Sequence, residues 1–230
     1  MDSKQLTTMK EITGINVEIA QEQVLMKIGV KEGRKPSPRI DRCIRQSLQT
    51  VMSTVKPKAF YRTFPVSTSE ERTYLAGKHV LKSRKLPRIL RKCDKAIVFV
   101  TTLGYELDKK IEWMMSDRPH EGIILDTVAS VAAESTTNTF QQQIDKKLDE
   151  RKATTFRYSP GYCDWSIKEQ KKIFNLLSGD SIGVTLSDDC LMSPRKSISG
   201  IMGIGLPEVV HEFGNACKEC LNFSCDNRRS

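Results

Sequence analysis

Stretches of strand character are spaced unevenly along this chain, and that spacing limits its fold more than any other feature. Residues 59–66 and 96–102 are rich in aromatic and β-branched side chains, and residues 182–186 and 197–204 read as strands near the other end. A doubly wound parallel sheet needs strand and helix in regular alternation. Here a basic stretch of helical character separates the first two strands, and the last two lie close together. The order predicts an α+β fold.

Helical patterns fill much of the rest. Residues 21–28 form one, and residues 37–55 form a second that opens with Ser37 as N-cap and Pro38 at the first helical position; Ile40, Ile44, Leu48, Val51 and Val55 mark its buried stripe. Leu103-Gly104 ends a strand and starts a helix carrying Leu107, Ile111 and Met114. Residues 120–148 give the longest helix, with small residues (Ala129, Ser130, Ala132, Ala133, Ser135) concentrated in its first half, as close packing requires. Ser166-Ile167-Lys168-Glu169 reads as a capping box opening a helix to Leu177, and residues 206–217 close the pattern. Gly200 and Gly203, inside a strand, predict either bulges or the close approach of a planar partner. With 230 residues, 38% of them hydrophobic, the chain can bury one large core. It is read as a single domain over 1–230, with 1–20 a loose N-terminal segment and 217–230 a cysteine-containing tail.

No apolar run reaches bilayer length, and Met1-Asp2-Ser3-Lys4-Gln5 lacks a hydrophobic signal core, so a cytoplasmic protein with no membrane partner is expected. Seven cysteines in such a chain favour reduced thiols or metal ligands over a disulfide framework. The net charge of +9 implies an acidic partner. The basic residues lack the aromatic interleaving of a single-strand binding surface, so nucleic acid is not the expected one.

The chemistry concentrates in Arg157-Tyr158-Ser159-Pro160-Gly161-Tyr162. Pro160 fixes its own φ, Gly161 admits positive φ and lets a ligand reach bare backbone, Arg157 offers a planar fork to a carboxylate or phosphate, and Tyr162 offers a face to a heterocycle or cation. A Pro-Gly turn beside an arginine paired to a nearby acid is the simpler alternative. Glu134 stands among the small residues of the long helix, where an unpaired carboxylate is costly to bury. In the tail, Cys217, Cys220 and Cys225 have the spacing of a metal-binding turn, with Cys163, Cys190 or His211 as fourth ligand of a zinc ion or Fe–S cluster; reduced surface cysteines explain the same residues. No catalytic triad or P-loop is present, and no catalytic residue is assigned.

The run R-Y-S-P-G-Y matches the R-x-x-x-G-Y signature of the activation domain of vitamin B12-dependent methionine synthase. Cys163-Asp164-Trp165, Ile182-Gly183-Val184-Thr185-Leu186, the run from Leu191 to Gly200, Val98 to Gly104 and Asp126 to Glu134 also resemble its short, stand-alone members, so the likeness covers residues 95–204 with a weaker echo from Val24. Tyr158 departs from the proline usual after the arginine, and the stretch beyond Gly205 lacks the family's tyrosine-containing hairpin. The resemblance implies a single C-shaped domain with a central, mostly antiparallel sheet flanked by helices. It implies a methyltransferase component that binds S-adenosylmethionine to remethylate cob(II)alamin held by a separate corrinoid protein or methionine synthase, with a flavodoxin- or ferredoxin-like electron donor. Arg157 would clamp the methionyl carboxylate, the backbone at Ser159 and Gly161 would meet adenine or ribose, Tyr162 would wall the pocket, and Glu134 would face the amino group, ribose or sulfonium. The alternative is a cysteine-ligated metal or redox module that serves a corrinoid protein without S-adenosylmethionine.

Overall fold

The computed structural model describes residues 8–31, 33–177 and 183–215. A short strand, β1 (Lys10–Thr13), precedes α1 (Gln21–Lys27) and α2 (Pro38–Thr54). α2 starts where local chemistry places it: Ser37 Oγ accepts from the Ile40 N–H at 3.4 Å, and Pro38 sits where a missing N–H costs nothing. β2 (Lys58–Thr68) is followed by a hairpin of β3 (Arg72–Leu75) and β4 (His79–Lys82), one helical turn α3 (Leu86–Ile89), and β5 (Lys95–Thr102). The helices α4 (Tyr105–Asp117) and α5 (Pro119–Asp145) come next, then β6 (Ala153–Thr154), a 3-10 turn at Ile167–Glu169 and α6 (Gln170–Leu176). The strands β7 (Thr185–Leu186), β8 (Met192–Ser193) and β9 (Ser197–Gly205) and the helix α7 (Pro207–Phe213) complete the fold.

The main sheet runs β4-β3-β2-β5-β9-β6, and every pairing in it is antiparallel. β2 is long enough to take two neighbours on one edge: its first half pairs with β1 and its last residues with β3. β7 and β8 form a separate ribbon. β5 is the axis of the sheet, buried at every position after Lys95.

Alternation along β2, β5 and β9 sends side chains to two apolar layers. On one face Ala59, Tyr61, Ile97, Phe99, Met202 and Ile204 pack against Phe140 and Ile144 of α5, with the Phe99 and Phe140 rings 5.4 Å apart. On the other, Phe60, Phe64, Val98, Val100 and Ile201 meet Leu86, Leu90, Trp165, Ile173 and Phe174. A third cluster holds α1, α2, α4 and α5 together through Val24, Ile44, Val51, Leu107, Ile111, Leu125 and Val128. Each of these fully buried side chains contributes about 1.5–3 kcal/mol. The small residues of α5 serve this packing: Ala129 and Ala132 are completely covered, and Thr137 reaches Thr101 on β5 at 2.7 Å.

Three expectations are corrected. Residues 8–20 are not loose, because β1 pairs with β2 and Ile15 and Val17 are buried. The basic stretch between β2 and β5 is a hairpin and a single helical turn; Ala76 and Gly77, both at positive φ, turn the chain back. The capping box is half formed. Ser166 Oγ accepts from the Lys168 N–H at 3.3 Å, but Glu169, instead of reaching back to Ser166, accepts from the Lys82 N–H at 3.1 Å and the Lys172 ammonium at 2.7 Å. No helix among the described residues is long and apolar enough to cross a membrane.

Candidate functional site

The strand that begins at β6 runs on past its last ladder residue to Tyr158, whose N–H donates to Ile201 O at 2.8 Å. A proline, usual at this place in the resembling family, has no N–H to make that bond. The strand is clasped by polar side chains of α5 at positions 134, 138, 141 and 145, which share one helix face. Asp145 accepts from the Thr154 N–H at 2.9 Å, and Gln141 donates to Thr154 Oγ1 and Thr155 O, each at 2.9 Å. Asn138 Oδ1 accepts from Arg157 Nη1 at 2.6 Å, and Glu134 accepts from Arg157 Nη2. Arg157 has only 5% of its side chain exposed, whereas Glu134 keeps 34%. The cation is therefore fixed in the wall and its partner is reachable from solvent.

Beyond Tyr158 the chain folds into a compact loop. Tyr162 N–H donates to Ser159 O, Gly161 N–H to Trp165 O at 2.7 Å, and Trp165 N–H back to Tyr162 O. Gly161 has a φ of 94°, where a side chain is strained. Tyr158 stacks on Trp165 with ring centroids 5.6 Å apart and planes 9° from parallel. Its hydroxyl donates toward Tyr162 O and Asp164, and burial, with the neighbouring Cys163 and Asp164, pushes its pKa well above the tyrosine range, so it stays a donor. Asp164 fastens the loop to the β4–α3 connection by accepting from the Arg84 N–H and Ser83 Oγ. Burial raises its carboxyl pKa, but these hydrogen bonds outweigh burial and leave it below the usual carboxylate value.

Strand alternation places Arg157 and Ser159 on the α5 side of the sheet and Tyr158 on the opposite side. Ser159 Oγ lies 3.0 Å, and Tyr158 O 2.8 Å, from where a Cβ on Gly200 would stand. The glycine is thus demanded by the chain's own edge strand. β9 pairs with β5 without a bulge, and Gly203 likewise makes room for Cys93 and Leu90. Tyr162 stands at the loop's rim, 40% exposed. A cleft of about 620 Å³ opens beside the clasp between residues 16–23 and α5, lined by Asn16, Glu18, Gln23, Asn138, Thr139 and Gln142 among others, and it shares Asn138 with the Arg157 contact.

Arg157 and Glu134 are thus brought into direct contact, while Gly161 and Tyr162 occupy the adjoining turn. The sequence reading missed Asn138, Gln141 and Asp145, although four polar residues at helical spacing were the available signal. Cys217, Cys220 and Cys225 lie outside the described residues. Cys163 is exposed and Cys190 buried, and among the described residues no three His, Cys, Asp or Glu side chains are grouped to hold a metal.

Comparison with known proteins gives three findings. The family model described as vitamin B12 dependent methionine synthase, activation domain, matches residues 87–214. The crystal structure of the MetH reactivation domain bound to AdoHcy superposes with a TM-score of 0.64 at 16% sequence identity, over 88% of this chain and 82% of that one, a likeness of fold. No curated protein matches. With more than half of its residues inside the family match, and an antiparallel α+β architecture shared with the reactivation domain, the chain belongs to the vitamin B12 dependent methionine synthase activation domain family.

Proposed function

We propose that this protein holds S-adenosylmethionine beside the clasp between α5 and the Arg157 strand and presents its methyl group to a corrinoid carried by a partner domain, reactivating a cobalamin-dependent methionine synthase or related methyltransferase. The observation that carries this reading is the buried Arg157, set in a rigid wall next to a cleft, with a solvent-reachable carboxylate on its outer side. The residues fit the ligand. Asn138 keeps the guanidinium oriented while Glu134 gives way, so a methionyl carboxylate exchanges for Glu134 without exposing an unpaired charge. Glu134, once released, is placed to receive the ligand's amino group or offset its positive sulfur. The backbone at Ser159 and Gly161 offers hydrogen bonds to the nucleoside, and the exposed Tyr162 ring closes one side.

S-adenosylmethionine supplies an electrophilic methyl group on sulfur, and the corrinoid supplies the metal centre that receives it. What the chain contributes is proximity and orientation, a stiff loop and a fixed cation, with no proton transfer required of it. An acidic low-potential electron donor of flavodoxin or ferredoxin type completes the system. AdoHcy, the ligand named for the MetH reactivation domain, is what S-adenosylmethionine becomes after giving up its methyl group.

Calorimetry of S-adenosylmethionine binding tests the reading. Arg157→Ala should weaken affinity roughly ten- to a hundredfold, since a charge-assisted clamp is worth about 1.5–3 kcal/mol. Glu134→Gln should weaken it less. Unchanged affinity in a folded Arg157→Ala protein, verified by circular dichroism, would remove the loop from the site.

A further inference from the structure

A second cavity, of about 670 Å³, lies at the other end of α5, walled by the end of α1, the start of α2 and the first turns of α5. Its last lining residue on α5 is Thr127, seven residues before Glu134 and so about 10 Å away along the helix axis at 1.5 Å per residue. None of its lining residues belongs to the clasp or the signature loop, so it is a separate place on the molecule.

The lining has two characters. Ile28, Ile40, Ile123 and Ile124 make its apolar surface, and Ile123 is 53% exposed. Around them stand Lys27, Arg39 and His120, all exposed, and none of the three makes an ion pair or hydrogen bond among the described residues. The acid in the lining, Glu121, is drawn 3.6 Å from Arg118. Apolar walls beside two unspent positive charges, Lys27 and Arg39, with the His120 imidazole as a further hydrogen-bonding group, define a complementary shape: a small molecule with a hydrocarbon or aromatic body and one anionic head. The volume is in the range of small-molecule sites, which run about 300–1,000 Å³. Four isoleucines leave little for a fully polar anion, and the two cations Lys27 and Arg39 leave a neutral apolar body without any use for the rim.

We propose that this cavity is a binding site for an amphiphilic carboxylate or sulfonate, independent of the S-adenosylmethionine site. Cys43, half-buried in its wall, supplies an internal reporter.

The test uses the full chain and anilinonaphthalene sulfonate as fluorescent probe, with decanoate and decanol as competitors. Expected are saturable binding at one site per chain, displacement by decanoate in preference to decanol, and slowed alkylation of Cys43 in the presence of decanoate while exposed Cys163 reacts at its usual rate, both followed by peptide mass spectrometry. Reversing charge with Lys27→Glu and Arg39→Glu together should weaken the probe about tenfold or more, and Thr127→Trp, which fills the cavity, should abolish binding. Arg157→Ala should leave it untouched, which keeps this result separable from the fate of the S-adenosylmethionine reading. Equal displacement by decanol, an unshielded Cys43, or binding that survives both the charge reversal and Thr127→Trp would each overturn the proposal.

Discussion

Two glycines in β9 show how one missing carbon positions a loop. At Gly200 an added Cβ would stand 2.8 Å from the Tyr158 carbonyl and 3.1 Å from the Phe99 ring. Because the first obstacle is backbone, relief requires moving the strand that carries Arg157. Gly200→Ala should therefore lower stability by about 1–3 kcal/mol, the usual cost of overpacking, read as a fall in the urea midpoint, and should loosen S-adenosylmethionine as well. A variant as stable as the parent would show that the edge strand moves freely. Gly200 and Gly203 were recognisable as positions of contact, but a one-dimensional pattern does not say whether the visitor is a ligand or the chain itself. Arg157 likewise was visible as a fork of donors, and its acid partner was foreseeable in kind; that the acid is Glu134, and that Asn138 shares it, depends on how α5 crosses the sheet.

At the level of elements, periodicity carried what had a strong local cause. α2 begins at its Ser37-Pro38 signal, and β5 announces itself by an apolar run, as did the length of α5. The β3–β4 hairpin was hidden because Arg72, Lys78 and Lys82, with Arg84 and Lys85 just after it, give the stretch a basic, helix-like composition, and its strands draw their order from β2 rather than from themselves. The signature loop closes on its own backbone hydrogen bonds but owes its place in the molecule to a contact no local pattern encodes, that of Asp164 with Ser83 and the Arg84 N–H. Asp164→Ala should cost about 1 kcal/mol and free the Tyr158–Trp165 stack, seen as a change in tryptophan emission. The sign of its pH dependence follows from a carboxyl pKa held below the unfolded value of about 3.9: the stabilisation is complete above that pH and is lost as acid takes the solution through the lower, folded value. If Asp164→Asn titrates through this window as the parent does, another group anchors the loop.

Taken whole, the molecule is electrically lopsided. Residues 70–95 hold nine lysines and arginines against three acids, so six of the chain's nine net positive charges sit on the β3–β4 hairpin, α3 and the start of β5. Asp164 ties the signature loop to this same region. An acidic corrinoid-bearing domain or electron donor would thus be steered toward the loop. Optical conversion of a Co(II) corrinoid partner to its methylated form should require S-adenosylmethionine, a low-potential reductant and this protein together. It should slow as salt rises, because exposed charges are screened over roughly 8 Å at physiological ionic strength. A rate indifferent to salt would place docking elsewhere.

The placement of β9 between β5 and β6 also sets a timetable for the newborn chain. The strand bearing Arg157 has no ladder partner until residues 197–205 exist, some forty residues later, which at 5–20 residues per second is a wait of about 2–8 s. Through that interval β5 has one bare edge and the 153–158 segment has two, the condition in which strands pair with strangers. The pocket is thus assembled after the framework that surrounds it, and neither α5 nor the signature loop can anticipate it; whatever guards this chain during synthesis must do so without help from its ligand.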